Sequence, residues 1–296
     1  MPSESDQRND QRYIVITPAR NEAANLGATI ESMQKQTVPP LAWYIVDDGS
    51  TDETPDMVRA AAVDTPWIHL VQRDDRGFRA AGGGVVEAVQ AGYNLIEDHS
   101  WDYLVKLDAD LRFDEDYFAS CLGAFADDDS LGIAGGTVYN LENGLRVAEP
   151  HPSFHVRGAT KIYRNACWFA IGGLVAAPGW DTIDELSANM HGWSTRTLTD
   201  VPIDQLRTTG DAAGQWSNWV KNGRAAYLAG YHPMFLVARA AKRLVQSPYF
   251  VATVGLLWGY GRSAVRREPR QVDAELESYV KKQQWNRLMG KETIWR

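Results

Sequence analysis

Asp108 and Asp110 stand one residue apart in "WDYLVKLDADLRFDEDYF" (101–118), directly after the apolar positions Tyr103, Leu104, Val105 and Leu107. Two carboxylates this close repel each other unless something positive lies between them. A divalent cation cancels that repulsion. Mg²⁺ and Mn²⁺ prefer carboxylate and phosphate oxygens, so a diphosphate bridged to the protein through the metal fits the spacing.

The acids must be positioned by the elements around them. From residue 13 to about 140, short apolar strands alternate with helix-like stretches. "YIVITPA" (13–19), "AWYIVDDGS" (42–50), "WIHLVQR" (67–73) and "DYLVKLDAD" (102–110) read as strands. Between them, "NEAANLGATIESMQKQ" has helical spacing through Leu26, Ile30 and Met33. "TDETPDMVRAAAV" follows as a helix with Ser50 or Thr51 as its N-cap. "AAGGGVVEAVQAGYNLI" (80–96) gives a third helix. Strands apolar on both faces, alternating with helices, predict a parallel sheet covered by helices. Ligands of such sheets bind at the carboxyl ends of the strands. "TPARNE", "VDDGS" and "LDAD" all lie at strand ends and should converge on one crevice.

Bulk properties exclude several alternatives. The 296 residues suffice for one sizeable core, or a core and a smaller lobe. A net charge of −8 argues against nucleic-acid binding, which relies on clustered basic groups. The two cysteines, Cys121 and Cys167, form no CxxC pattern, so neither a zinc site nor a disulfide framework is indicated. "MPSESDQRNDQR" has no apolar leader core, which points to the cytoplasm.

The segments "VITPARNEAANLGATIESMQKQT", "WYIVDDGSTDET" and "YLVKLDADLRF" resemble the inverting glycosyltransferases of family 2. The resemblance covers most of residues 13–210. It implies an α/β, Rossmann-like GT-A fold, with a mostly parallel sheet flanked by helices. It also implies a nucleotide-diphosphate sugar as donor and Mg²⁺ or Mn²⁺ as cofactor. By this resemblance Pro18, Ala19, Arg20 and Glu22 frame the base and ribose. Asp48 accepts a hydrogen bond from the base, with Asp47 beside it. Asp108 meets the ribose and the metal, Ala109 belongs to the nucleotide-sugar site, and Asp110 binds the metal directly. Arg79, ahead of Arg76, contacts the nucleotide. Gly82–Gly84 open a helix whose free N–H groups favour an anion, or else serve close packing of that helix on the sheet.

"RGATKIYRNACWFAIGGLVAAPGWDTIDELSANMHGW" (157–193) resembles the segment where the family places its general base. Counting back from Gly192 puts Asp181 at that position, with Asp184 second and Glu185 third. Trp180 stands where the family usually has Glu. On a helix the three acids share one face, and Asp181 also reads as an N-cap. An inverting transfer is one in-line displacement at the anomeric carbon, and a carboxylate takes the proton of the attacking hydroxyl. "DQLRTTG" (204–210) resembles a later element that often reads His-x-Arg. Here Gln205 takes the histidine position and Arg207, retained, is available to the diphosphate.

The expected domains are a disordered tail (1–12), a nucleotide-sugar-binding half (13–140), an acceptor and base half (141–230) and a helical C-terminal segment (231–296). That segment mixes apolar runs with Arg239, Lys242, Arg243, Arg262, Arg266 and Arg267. Its longest uncharged run, 244–261, contains Pro248 and three glycines and makes a poor spanning helix. Two readings stand. In one, amphipathic helices lie at the inner face of the cytoplasmic membrane, with Phe250, Leu256, Leu257 and Trp258 in the acyl boundary. In the other, the helices pack on the catalytic body or on a second subunit.

A glycan or lipid-linked acceptor, in polysaccharide or glycolipid synthesis, suits this picture. A nucleotidyltransferase would need a Gly-rich, Arg-containing loop after the first strand, where this chain has "TPARNEAANL". A noncatalytic nucleotide-sugar-binding protein would not need the acidic helix at 181–185.

Overall fold

The computed structural model describes residues 11–75, 82–142, 145–148, 151–207, 214–244 and 250–295. Arg76 and Arg79 lie outside the described residues, as does most of the expected N-terminal tail. Arg12, at the end of that tail, is held to Asp102 by its backbone N–H at 2.9 Å.

The first half builds as its pattern predicts. β1 (Tyr13–Ala19), β2 (Ala42–Asp47), β3 (Ile68–Gln72) and β4 (Tyr103–Leu107) form a parallel sheet in the order β3-β2-β1-β4. Side chains alternate between its faces, and both faces are buried. Tyr13, Val15, Trp43, Ile45 and Val105 join α1 (Ala23–Gln34) and α4 (Tyr117–Ala126) in one core. Ile14, Ile16, Val46 and Leu104 join α3 (Gly83–Tyr93) and α5 (Asn165–Ile171) in another. The helix α2 (Thr54–Asp64) starts later than expected, so neither Ser50 nor Thr51 is its N-cap. Asp52 intervenes: its carboxylate accepts the Thr54 N–H, and Pro55 occupies the first turn.

The second half continues the same sheet with mixed pairing. Beyond β4 come β8 (Thr160–Arg164) antiparallel, β6 (Leu131–Glu142), β9 (Ser194–Gln205) parallel to β6, and the short β5 (Leu111–Arg112). β7 (Leu145–Ala148) pairs with β6 as a hairpin. Leu111 on β5 opposes Gln205 on β9, and the Leu206 N–H donates to the Asp110 carbonyl at 2.8 Å. Those pairings carry residues 205–207 to the carboxyl end of β4.

A third core joins α6 (Trp180–Met190) to the C-terminal helices α7 (Gly214–Leu228), α8 (Pro233–Arg243), α9 (Val251–Val265) and α10 (Ala274–Leu288). It contains Phe154, Ile183 and Leu186 beside Tyr227, Tyr231, Leu256, Leu276 and Trp295, so it runs across residue 230. Leu256 is 0 % exposed, which corrects the expectation that it reaches a membrane. Among the described residues, no helix is long and apolar enough to cross a membrane.

Candidate active site

At the end of β1, Asn21 adopts a left-handed φ of 53°, a conformation Asn tolerates. Its N–H donates to Ser50 Oγ at 2.9 Å, and its side-chain oxygen accepts the Thr51 N–H at 2.8 Å. Glu22 N–H donates to Thr54 Oγ1. These bonds stitch "ARNE" to "DDGST". Asp47 accepts the Ser50 N–H at 2.9 Å, a side-chain bond that closes the turn after β2. Gly49 is required there: its φ is 77°, and a Cβ would stand 2.6 Å from the Asp75 Cα.

Arg20 donates to the Asp48 carbonyl and, at 2.7 Å, to Asp75. Arg73 donates to the Asp48 carboxylate at 2.8 Å. The Asp48 carboxylate therefore lies at the crevice already oriented by Arg73, a residue sequence reasoning missed. Pro18 and Ala19 form the end of β1, beside Val46 and Asp47 of β2.

The two acids after β4 occupy different surroundings. Asp108, with a side chain 29 % exposed, accepts a hydrogen bond from Lys106. Lys106 is buried and also donates to the Gly158 carbonyl. Asp110, beyond the buried Ala109, faces Arg207 at 3.6 Å and Gln205 Nε2 at 3.4 Å. Arg207 reaches Glu22 at 2.8 Å, so Glu22, Asp110 and Arg207 form one cluster. Burial, then the nearby Asp108 carboxylate, push the Asp110 carboxyl up to about 6 despite Arg207.

That excess of negative charge is the observation that fits a divalent cation. A cation would offset both the burial of Asp110 and its repulsion from Asp108. Among the described residues no group of three or more His, Cys, Asp or Glu side chains is placed to hold a metal. Two carboxylates alone are the usual protein share for Mg²⁺ beside a diphosphate, which supplies the remaining oxygens with water.

The acids of α6 divide differently from expectation. Gly179, not Asp181, occupies the N-cap position; its φ is 84°, and a Cβ would press on Ala225 at 3.0 Å. Asp184 and Glu185 point into the sheet. Asp184 accepts from Lys161 Nζ at 2.9 Å, Tyr163 Oη at 2.5 Å and the Glu185 N–H at 2.7 Å. Glu185 accepts the Val156 N–H at 2.7 Å and faces Lys161 at 2.7 Å and His155 at 2.9 Å. Burial raises the Asp184 carboxyl against the pull of Lys161. Burial also disfavours charge on His155, but Glu185 outweighs it and raises its pKa.

Asp181 is only partly buried, and among the described residues its carboxylate has no hydrogen bond. It lies against Gly158: a Cβ there would be 3.3 Å from Asp181 Oδ2 and 3.2 Å from the Trp180 ring. Gly158 in turn accepts from Lys106, which holds Asp108. Trp180 lies between Lys106, at 5.5 Å from its ring, and Lys161, at 5.6 Å. One chain of contacts thus links Asp181 to the acids of β4. Gly82 and Gly83 meet residues 176–178 closely, with Cβ positions 3.2 Å from Pro178 Cα and 3.3 Å from the Ala176 carbonyl. Close packing accounts for them, against a loop rather than the sheet.

Lys106, Lys161 and His155 were not singled out by sequence. The first two left a signal in "YLVKL" and "TKIYR", each a lysine inside a buried strand. A lysine there requires a charged partner.

Residues 14–175 match the family described as "Glycosyl transferase family 2". Over 114 residues the chain is 29% identical to the succinoglycan biosynthesis protein ExoA of Rhizobium meliloti, covering 38% of this chain and 32% of that protein. Over 105 residues it is 34% identical to the undecaprenyl-phosphate 4-deoxy-4-formamido-L-arabinose transferase of Serratia proteamaculans, covering 34% of this chain and 30% of the relative. The match thus spans about a third of each relative's length. The mannosyltransferase PcManGT of Pyrobaculum calidifontis, solved with GDP-Man and Mn²⁺, superposes with a TM-score of 0.56 at 17% identity, over 87% of this chain and 74% of that one. With the family match spanning more than half of its residues, on the fold the motifs imply, the chain belongs to glycosyl transferase family 2.

Proposed function

We propose that the protein transfers a sugar, with inversion, from a nucleotide-diphosphate sugar to a hydroxyl of a glycan or lipid-linked acceptor. The observation that carries this reading is Asp181. It is the accessible carboxylate of α6, tied through Gly158 and Lys106 to the acids at the end of β4. The relatives named for polysaccharide and undecaprenyl-phosphate chemistry support the acceptor class.

In this reading Asp48, oriented by Arg73, meets the base, and Pro18, Ala19, Arg20, Glu22, Asp47 and Ala109 shape the nucleotide crevice. Asp108 and Asp110 would hold Mg²⁺ or Mn²⁺. When bound, that ion supplies Lewis-acid stabilisation of the departing diphosphate. Arg207 lies beside the same acids and adds positive charge near the phosphates. Asp181 accepts the proton of the acceptor hydroxyl as its oxygen attacks. Asp184 and Glu185 hold α6 on Lys161 and do not reach the acceptor. With a lipid-linked acceptor, catalysis would take place at the inner face of the cytoplasmic membrane.

The test incubates the full chain and Mn²⁺ with a panel of nucleotide-diphosphate sugars, GDP-mannose included, and with polyprenyl-phosphate or oligosaccharide acceptors. Release of nucleoside diphosphate with a glycosylated product supports the reading. Pyrophosphorolysis of the donor, or binding with no turnover across the panel, contradicts it.

A further inference from the structure

Helix α9 carries apolar side chains on both of its faces. Its buried face sets Leu256 and Tyr260 among the small or polar Ala252, Thr253, Gly255, Gly259 and Ser263. There it crosses α7 closely enough that a Cβ on Gly259 would overlap the Val220 carbonyl, and one on Gly223 the Leu256 carbonyl. Its outward face also carries large apolar side chains: Val251, Val254 (52 % exposed), Leu257, Trp258 (58 %) and Val265 (85 %). These recur at the three- and four-residue spacing of a single helical stripe. A contiguous apolar stripe of this length on an exposed helix face marks an interaction site.

Charge indicates what covers it. Residues 233–267 contain no Asp or Glu, in a chain of net charge −8. They contain six basic residues. Arg243 stacks on Trp219 at 4.7 Å. Arg239, Lys242, Arg262, Arg266 and Arg267 are exposed and form no ion pair among the described residues. Glu268, the next acid, is taken by Arg224 at 2.8 Å. Helix α8 packs beside α9 through Thr253, whose hydroxyl donates to the Ala240 carbonyl, and it exposes Met234 and Val237. Two copies of such a face would bring like charges together, which disfavours self-association.

We propose that the outward face of α9, with the exposed basic residues of α8, docks on an anionic lipid surface. Trp258 and the valines enter the interfacial layer and the arginines meet headgroups, the arrangement of a helix lying in the plane of the membrane. The inference stands on this surface alone and does not depend on the transfer reaction.

The test is flotation of the full chain with phosphatidylcholine vesicles, with and without phosphatidylglycerol. At low salt the chain is expected to float with the anionic vesicles and to remain at the bottom with the neutral ones. Replacing Arg262, Arg266 and Arg267 together by Gln should weaken partitioning roughly 100-fold, about fivefold for each charge. Trp258→Glu should abolish flotation with circular dichroism unchanged, because the side chain is exposed in the folded chain. A full chain that never floats, or a triple variant that floats as well as wild type, overturns the proposal. So does a dimer in sedimentation that Trp258→Glu dissociates, since the face would then belong to a second copy.

Discussion

At the end of β4, the carboxylates of Glu22, Asp108 and Asp110 are answered by Lys106 and Arg207. On α6, those of Asp184 and Glu185 are enclosed by Lys161, Tyr163, His155 and a backbone N–H. Both clusters contain a buried aspartate with a raised pKa, so burial of acids does not tell them apart. Completeness does. The α6 cluster has its cation within the fold, and every contact fixes a helix. The β4 cluster has a carboxyl for which Arg207 is distant at 3.6 Å and whose neighbour Asp108 repels it. A group whose electrostatic need is unmet by the protein is placed to receive it from a ligand.

The largest effect expected from breaking this comparison is on the acid that belongs to neither cluster. Asp181→Asn should lower turnover by roughly 10²–10⁴-fold with donor binding near normal, the range for loss of a general base. Full activity in this variant would remove Asp181 from the chemistry. Lys161→Met attacks the closed cluster, leaving buried Asp184 without its cation and Glu185 with His155 alone. Its cost should be about 3–5 kcal/mol in denaturant unfolding, the usual penalty for removing one partner of a buried pair. A loss below about 1 kcal/mol would mean that the cluster is not closed.

Asp110→Asn should act in the opposite direction. The folded pKa of about 6 lies above the ordinary value of 3.8, so the folded state holds the proton more tightly. Between these two pH values stability falls as pH rises, and above about 6 the whole penalty is present. Removing the charge should therefore stabilise the protein by roughly 3 kcal/mol at pH 7.5. Near pH 4 the variant and the wild type should unfold alike. Equal unfolding midpoints at both pH values would show that the β4 cluster carries no strain. The smallest expected change sharpens the link between Asp181 and the β4 cluster. Gly158→Ala places a Cβ 3.3 Å from Asp181 Oδ2 and should reduce turnover about tenfold by displacing that carboxylate, leaving donor binding unaltered.

The parallel half of the fold was legible because its physics is local. Strands such as "YIVITPA" are apolar on both faces, and "DDGS" and "DAD" follow strand ends where turns must form. The convergence of Glu22, Asp48 and Asp110 follows from that topology alone. What was not legible depends on pairing over long sequence distances. Asp181, Asp184 and Glu185 have the same spacing whichever of them faces the crevice. Their separation into one accessible and two enclosed acids is decided by Lys161 and Tyr163, on a strand twenty or so residues away. Arg207 reaches Glu22 across 185 positions because β5 pairs with β9. Leu256 looked like a membrane anchor beside Trp258; which of the two turns outward is set by the glycines that let α9 approach α7.

The central claim is that the β4 acids are completed by a cation that arrives with a nucleoside diphosphate. Calorimetric titration of UDP and GDP into the full chain at pH 7.5, with and without Mn²⁺, tests it directly in wild type and Asp110→Asn. The account predicts that at least one diphosphate binds wild type in the presence of Mn²⁺. Its affinity should fall at least about 100-fold when the metal is withheld or Asp110 is replaced, since outer-shell changes alone cost 10–100-fold. Binding of equal strength with and without Mn²⁺, unchanged in Asp110→Asn, would contradict it.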